Sequence, residues 1–232
     1  MIIDCISDLH GYQPKLRGGD LLIIAGDMTA RDTTKQWGEF FDWMEVQPYA
    51  QIVYIAGNHD GFLKNSCSDE ESRQFLAPED WPNPKIEYLR DNTFMYKGLK
   101  IYGMPWTPTF CDWFFMKDRE GMREVVGKIP DDVDILITHG PSYGVLDTCP
   151  NFGCLDEIKH VGCYELTKRL KELKQLKLHV FGHVHEAYGV HQGNYLSINA
   201  SIMDGNYYPT NKPIRVILEG TQAILEAETP TD

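Results

Sequence analysis

Short apolar runs separated by longer amphipathic stretches set the rhythm of this chain. Residues 1–7, 20–26, 50–57, 133–139 and 176–183 are rich in Ile, Leu and Val without strict alternation. That pattern predicts strands covered on both faces. Between them, residues 34–46 place Trp37, Phe40, Phe41 and Met44 at helical spacing. Residues 156–173 do the same with Ile158, Val161, Leu166 and Leu170, so both segments read as amphipathic helices. Strand–helix alternation of this kind predicts an α/β fold. Residues 92–105 read as a hairpin turning at Lys97-Gly98. Residues 187–201 and 212–227 read as short antiparallel strands with Gly and Asn turns. No linker-like composition or repeat interrupts the chain, so residues 1–232 are expected to form one domain with two mixed sheets. The last residues, ETPTD, are expected to fray.

Composition narrows the partners. The net charge is −12 and the pI about 5.1, which repels a nucleic-acid backbone unless a basic patch or metal ions intervene. Long nucleic acid is therefore not an expected partner. The opening residues carry Asp4 and Asp8 and no basic stretch, unlike a signal peptide. No apolar run approaches the roughly 20 residues that cross a bilayer. The six cysteines are scattered, with no C-x-x-C pair, and read as reduced thiols. A soluble, cytoplasmic protein without a membrane partner is the expectation. Oligomeric state is not legible.

The strand ends carry the chemistry. The first run closes on Asp8-Leu-His10, the second on Gly26-Asp27, and the third on Gly57-Asn58-His59-Asp60. The fourth closes on Thr138-His139-Gly140 and the fifth on Gly182-His183-Val-His185. Functional groups of open α/β sheets collect at the carboxyl ends of strands. If these strands are neighbours in one sheet, the groups converge on one rim. Residues two apart on extended chain point the same way, so Asp8 with His10, and His183 with His185, can each reach one ion. The glycines before Asp27, Asn58 and His183 allow tight turns and close backbone approach. Mixed nitrogen and oxygen ligands suit Mn, Fe, Zn, Co or Ni better than Ca or Mg. They are too many for one ion, and Asp27 is the natural bridge between two. Alone, Asp-x-His is more often a surface pair or cap and Gly-Asp a turn. Gly-Asn-His-Asp after a buried strand is specific, because three polar groups there otherwise lack partners.

Asp-x-His, Gly-Asp, Gly-Asn-His-[Asp/Glu], a later His and Gly-His-x-His resemble the calcineurin-like metallophosphoesterases over nearly the whole chain. The segments LITHGPSYGVLD, VGCYELTKRL, LHVFGHVHEAYGV and INASIMDGNYYPTNKPI are similar to its metallophosphoesterase-domain subgroup, the 239AB type of phosphodiesterase. The resemblance implies a four-layer α/β/β/α sandwich with a dinuclear site at the rim. It implies Asp8, His10, Asp27 and His185 on one ion, and Asp27, Asn58, His139 and His183 on the other. It places His59 as proton donor or transition-state stabiliser, oriented by Asp60. Some relatives carry Gly where this chain has His183, so a complete two-metal enzyme is expected. Cyclic nucleotides are substrates reported in the subgroup.

A hydroxide held between two divalent ions, Mn²⁺ preferred, would then attack phosphorus in line, with His59 offsetting charge on the leaving side. Hydrolysis of a small phosphodiester such as a cyclic nucleotide is the leading expectation. Phosphomonoester or phosphoprotein hydrolysis, DNA cleavage and a silent metal-binding scaffold are the competing ones. Trp106, Thr107 and Phe110 could wall a base pocket or plug the core. Asn199, Asn206 and Tyr207 are assigned to the rim and Arg31 to solvent. His160 and His191 read as surface residues and His179 as a packed neighbour. Cys149 and Cys154 imitate a zinc half-site without the second pair that one needs.

Overall fold

The computed structural model describes residues 1–65, 83–150, 159–220 and 222–226. In chain order the strands are β1 (Ile2–Ile6), β2 (Gly19–Ile24), β3 (Tyr49–Tyr54), β4 (Ile86–Tyr88), β5 (Asn92–Tyr96), β6 (Leu99–Met104), β7 (Thr107–Pro108), β8 (Met116–Lys117), β9 (Ile135–Thr138), β10 (Thr148–Cys149), β11 (Lys159–His160), β12 (Leu178–Phe181), β13 (Gly189–Gln192), β14 (Leu196–Asn199), β15 (Ile214–Glu219) and β16 (Gln222–Leu225). The helices are α1 (Thr34–Glu45), α2 (Gly61–Asn65), α3 (Arg119–Val126) and α4 (Tyr164–Glu172).

Two six-stranded mixed sheets form, in the orders β16-β15-β1-β2-β3-β4 and β13-β14-β12-β9-β6-β5. In the first, β1 to β4 run parallel and β15 runs antiparallel to β1. In the second, β6, β9, β12 and β14 run parallel and the edge strands antiparallel. The non-alternating apolar runs now have a reason: each strand supplies two cores. Ile3 and Cys5 of β1, Ile23 of β2, Ile135 and Ile137 of β9 and Val180 of β12 share the layer between the sheets. Ile6, Ile24 and Tyr54 face outward against Trp37, Phe40, Phe41 and Met44 of α1. Leu136 and Tyr102 face outward on the other side, against Val125 of α3 and Leu166 and Leu170 of α4. Helix, sheet, sheet, helix is the four-layer sandwich.

Two expectations change. The five motif-bearing strands do not lie in one sheet: β1, β2 and β3 belong to the first, β9 and β12 to the second. The rims are stitched instead. The Ser7 amide donates to the Ala200 carbonyl beyond β14, and the Ile202 amide donates to the Ser7 carbonyl. Second, the helix read over 156–173 begins at Tyr164, with the Cys163 sulfur capping the Leu166 amide. Lys159 and His160 pair instead with Thr148 and Cys149. A β-carbon on Gly162 would collide with the Ser142 backbone, so the chain crosses that loop before it can coil. Residues 156–158 and the terminal ETPTD lie outside the described residues. The three hairpins form where expected, the first turning on Lys97 and Gly98, both at positive φ, as a two-residue turn requires.

Candidate metal centre and its cavity

Each strand leaves its sheet through a sharp turn that aims a side chain across the rim. Asp8, His10, Asp27 and His183 all have φ between 42° and 70°, a region uncommon outside glycine and enriched at functional sites. Asp8 and His10 are therefore brought together by left-handed turns, not by extended chain, and His185 opens a 3-10 turn over His185–Ala187. The glycines make the crowding possible. A β-carbon on Gly26 would stand 2.6 Å from His139 Nδ1, and one on Gly182 would overlap the Asp8 carboxylate.

The structure gathers Asp8, His10 and His185; Asp8, Asp27 and His139; and His10, Asp27 and His59, with ligand atoms in each trio within 4.8 Å of one another. His185 Nε2 lies 3.3 Å from Asp8 Oδ1 and 3.3 Å from His10 Nε2. His139 Nε2 lies 3.4 Å from Asp27 Oδ2 and 2.9 Å from Asn58 Oδ1. Asp8, His10 and Asp27 each belong to two of the trios. His183 stands apart from these trios: its amide donates to Asp8 at 2.9 Å, and its ring packs 5.0 Å from that of His139.

Backbone carbonyls fix the tautomers. His139 Nδ1 donates to the Ala25 carbonyl at 2.9 Å and His185 Nδ1 to the Asp204 carbonyl at 3.1 Å. A carbonyl only accepts, so in their neutral form both histidines present Nε2 lone pairs to carboxylate oxygens. In that form the facing acceptors fit a divalent cation, which takes the place a proton otherwise fills, and the backbone contacts supply the orienting shell a ligand histidine needs. The same crowding shows in the titrations. Burial alone would raise the Asp8 carboxyl, but the His185 hydrogen bond and the neighbouring imidazoles outweigh it and hold the group at about 2. Burial opposes charge on His139, yet Asp27 lifts it to about 9.

Asp60 does not orient His59. Its buried carboxylate accepts the amides of Gly57 at 2.7 Å, Asp27 at 2.8 Å and Met28 at 3.2 Å. Burial and the Asp27 charge push this carboxyl upward, while the amides pull it back. The sequence reading paired two neighbours in the chain, but the tight Asn58–Asp60 turn sends their side chains in different directions. His59 instead has its ring 4.7 Å from His10, edge-on, and 4.4 Å from Trp113. Its amide donates to Asp27 Oδ1 at 2.8 Å.

A cavity of about 390 Å³ opens over these groups, lined by Asp27, Asn58, His59, His183 and His185 together with Phe110, Trp113 and Tyr207. Phe110 packs 5.3 Å from His183, and Tyr207 4.9 Å from both His10 and His185. Phe110 thus faces the cavity. Trp106 does not: it packs on Phe115 and donates to Asp91 at 2.8 Å, as a core plug. Thr107 is buried. Asn199 braces the Val184 carbonyl at 2.8 Å, between the two histidines, and the Asn206 amide donates to Asp204 within its turn. Arg31 does not line the cavity, and His160 and His191 are exposed. Cys149 and Glu186 line the cavity, and Cys154 lies outside the described residues.

Trp113 and Glu186 escaped the sequence reading. The only signal for Trp113 was the WFF run at 113–115, which fits neither helical nor strand periodicity. Its loop is fastened to the metal turn: the Phe114 amide donates to the Asn58 carbonyl, and the Phe114 ring covers Gly61.

Residues 1–187 match the calcineurin-like phosphoesterase family. The chain belongs to that family. It is 37% identical over 232 residues to the human metallophosphoesterase domain-containing protein 1, covering 92% of this chain and 70% of that protein. Among solved structures it superposes on the TT1561 protein of Thermus thermophilus with a TM-score of 0.58 at 12% identity, covering 85% of this chain and 88% of the other. It also superposes on a phosphopantetheinyl hydrolase from Mycobacterium tuberculosis with a TM-score of 0.55 at 13% identity, covering 99% and 98%. These two likenesses concern the fold. Family and donor set together make this calcineurin-like chain a metal-dependent phosphoester hydrolase with a divalent metal centre. Among the described residues, no helix is long and apolar enough to cross a membrane.

Proposed function

We propose that the chain hydrolyses small phosphodiesters, cyclic nucleotides among them, with two Mn²⁺ ions at the rim. The observation that supports this most is the cavity wall: three aromatic rings and, among the described residues, no Lys or Arg. Without fixed cations beside the ions, the wall itself adds no attraction for a doubly charged monoester over a singly charged diester. A phosphoprotein would need an arginine fork, which this wall does not offer. Flat rings suit a nucleobase or another aromatic group by stacking.

Asp8, His10, Asp27 and His185 would hold one ion, and Asp27, Asn58, His139 and His183 the other. Two such ions supply Lewis-acid stabilisation of phosphoryl oxygens and a water deprotonated near neutral pH. The chain's own part is orientation. Asp27 positions the His59 backbone, Trp113 and His10 confine the His59 ring, and that ring faces the cavity where a leaving oxygen needs a proton. The test is hydrolysis of bis-p-nitrophenyl phosphate, p-nitrophenyl phosphate and 2′,3′-cyclic AMP by chelator-treated protein with Mn²⁺ restored. Preference for the diesters, lost in Asp27→Asn, supports the proposal. Preference for the monoester overturns it, and silence on all three with ions bound favours the scaffold reading.

A further inference from the structure

A second cavity, of about 400 Å³, lies away from the metal rim, between α4 and the β13–β14 hairpin. That volume is within the range of small-molecule sites. Its charge is opposite to that of the molecule: the chain carries −12 overall, yet the wall holds Lys171, Lys174 and His191 and, among the described residues, no Asp or Glu. Other cations of the same segment are neutralised. Lys168 pairs with Glu165, Arg169 with Asp131 and Glu172, and Lys177 with Asp134. Lys171 and Lys174 have no carboxylate partner among the described residues. Among the described residues Lys174 Nζ donates only to the Lys171 carbonyl, at 2.9 Å, which places the Lys174 ammonium at the C-terminal end of α4.

The floor is built rather than incidental. Ser142 and Ser197 are each 2% exposed and line this cavity. Neither hydroxyl has a hydrogen-bond partner among the described residues, and neither is sealed from solvent. With no partner from the described residues, each hydroxyl is free to bond water or a ligand. Val145, Leu170 and Leu176 make the rest of the wall apolar. A recess with two unpaired lysines at its lip, two open hydroxyls and an apolar wall selects one chemical class. We propose that it binds a small organic anion with an apolar body, its carboxylate or phosphate held by Lys171 and Lys174. The Ser142 and Ser197 hydroxyls then hydrogen-bond to the ligand or to a water it traps.

Calorimetric titration of the Mn²⁺-loaded protein with decanoate, decyl phosphate and 1-decanol tests this. Saturable one-to-one binding of at least one anion is expected, with the better head group naming the source and the neutral alcohol at least tenfold weaker. Lys171→Glu combined with Lys174→Glu should weaken that binding about tenfold or more. Both positions are exposed, so the variant should fold and keep its phosphoesterase activity. Trp113→Ala should leave anion binding unchanged. The proposal is overturned if neither anion saturates, if 1-decanol binds as well, or if the double variant binds like the parent. It is also overturned if Trp113→Ala, and not the lysine variant, removes binding, since the anion would then sit on the metals. Binding is read without turnover, so either result leaves the phosphodiesterase proposal to its own test.

Discussion

Replacing Asp60 by Asn separates two roles for that carboxylate. Oδ2 takes the two shortest contacts, from Gly57 at 2.7 Å and Asp27 at 2.8 Å, while Oδ1 takes Met28 at 3.2 Å. Asparagine can keep its oxygen on Gly57 and Asp27, but its amino group then faces the Met28 amide, donor against donor. The two retained bonds lose their charge assistance, roughly 1 kcal/mol each. A buried amino group without an acceptor adds about 1–3 kcal/mol. The expected loss is thus about 3–5 kcal/mol of unfolding free energy. The residues released are the turn that aims Asp27 and the one that carries Asn58, so metal affinity should fall with stability. His59→Ala, by contrast, removes a partly buried ring with no hydrogen-bonded carboxylate and should lower turnover with stability nearly unchanged. Urea unfolding of both variants, with Mn²⁺ titrations, decides between the roles. If Asp60→Asn unfolds within about 1 kcal/mol of the parent yet loses as much turnover as His59→Ala, the carboxylate serves the histidine and the backbone account fails.

Trp113 is 44% exposed, so Trp113→Ala should cost under about 1 kcal/mol of stability. It should raise KM for aromatic diesters several-fold or more, since one stacked ring contributes roughly 1–3 kcal/mol; steady-state kinetics against an alkyl diester is the check. Gly182→Ala puts a β-carbon into Asp8 and the Ser7 hydroxyl and should lose about 1–3 kcal/mol and most of the bound metal, read by metal analysis. Chelation should lower Tm and abolish turnover, and Mn²⁺ should restore both. Burial drives the His179 imidazole down to about 3, with its Nε2 on Thr138 and its Nδ1 unpartnered. The unfolded chain takes a proton near 6.5 that the folded chain refuses, so stability falls as pH drops from about 6.5 toward 3. At 1.36 kcal/mol per unit, the loss reaches about 2 kcal/mol at pH 5, and His179→Met should remove that portion of the slope in urea melts.

The sequence by itself determined which polar residues close the buried strands. Apolar runs that refuse to alternate require cover on both faces, and polar groups terminating such runs require a shared partner. Those are local properties, so Asp8, Asp27, Asn58, His139 and His185 were legible without coordinates. The tertiary structure decided what depends on two sheets meeting. The rim is shared between them, because Ser7 bonds across to Ala200 and Ile202, and no periodicity within one strand encodes its partner across a layer. Asp8 and His10 meet as read, but through left-handed turns rather than extended chain, while His183 stands apart from His185. Asp60 was drawn to amides of the neighbouring turn rather than to the histidine beside it. Trp113 reached His59 because the Phe114 amide found the Asn58 carbonyl, a contact between loops distant in sequence. Lys171 of α4 and Lys174 just beyond it share a cavity only because the β13–β14 hairpin closes its other side.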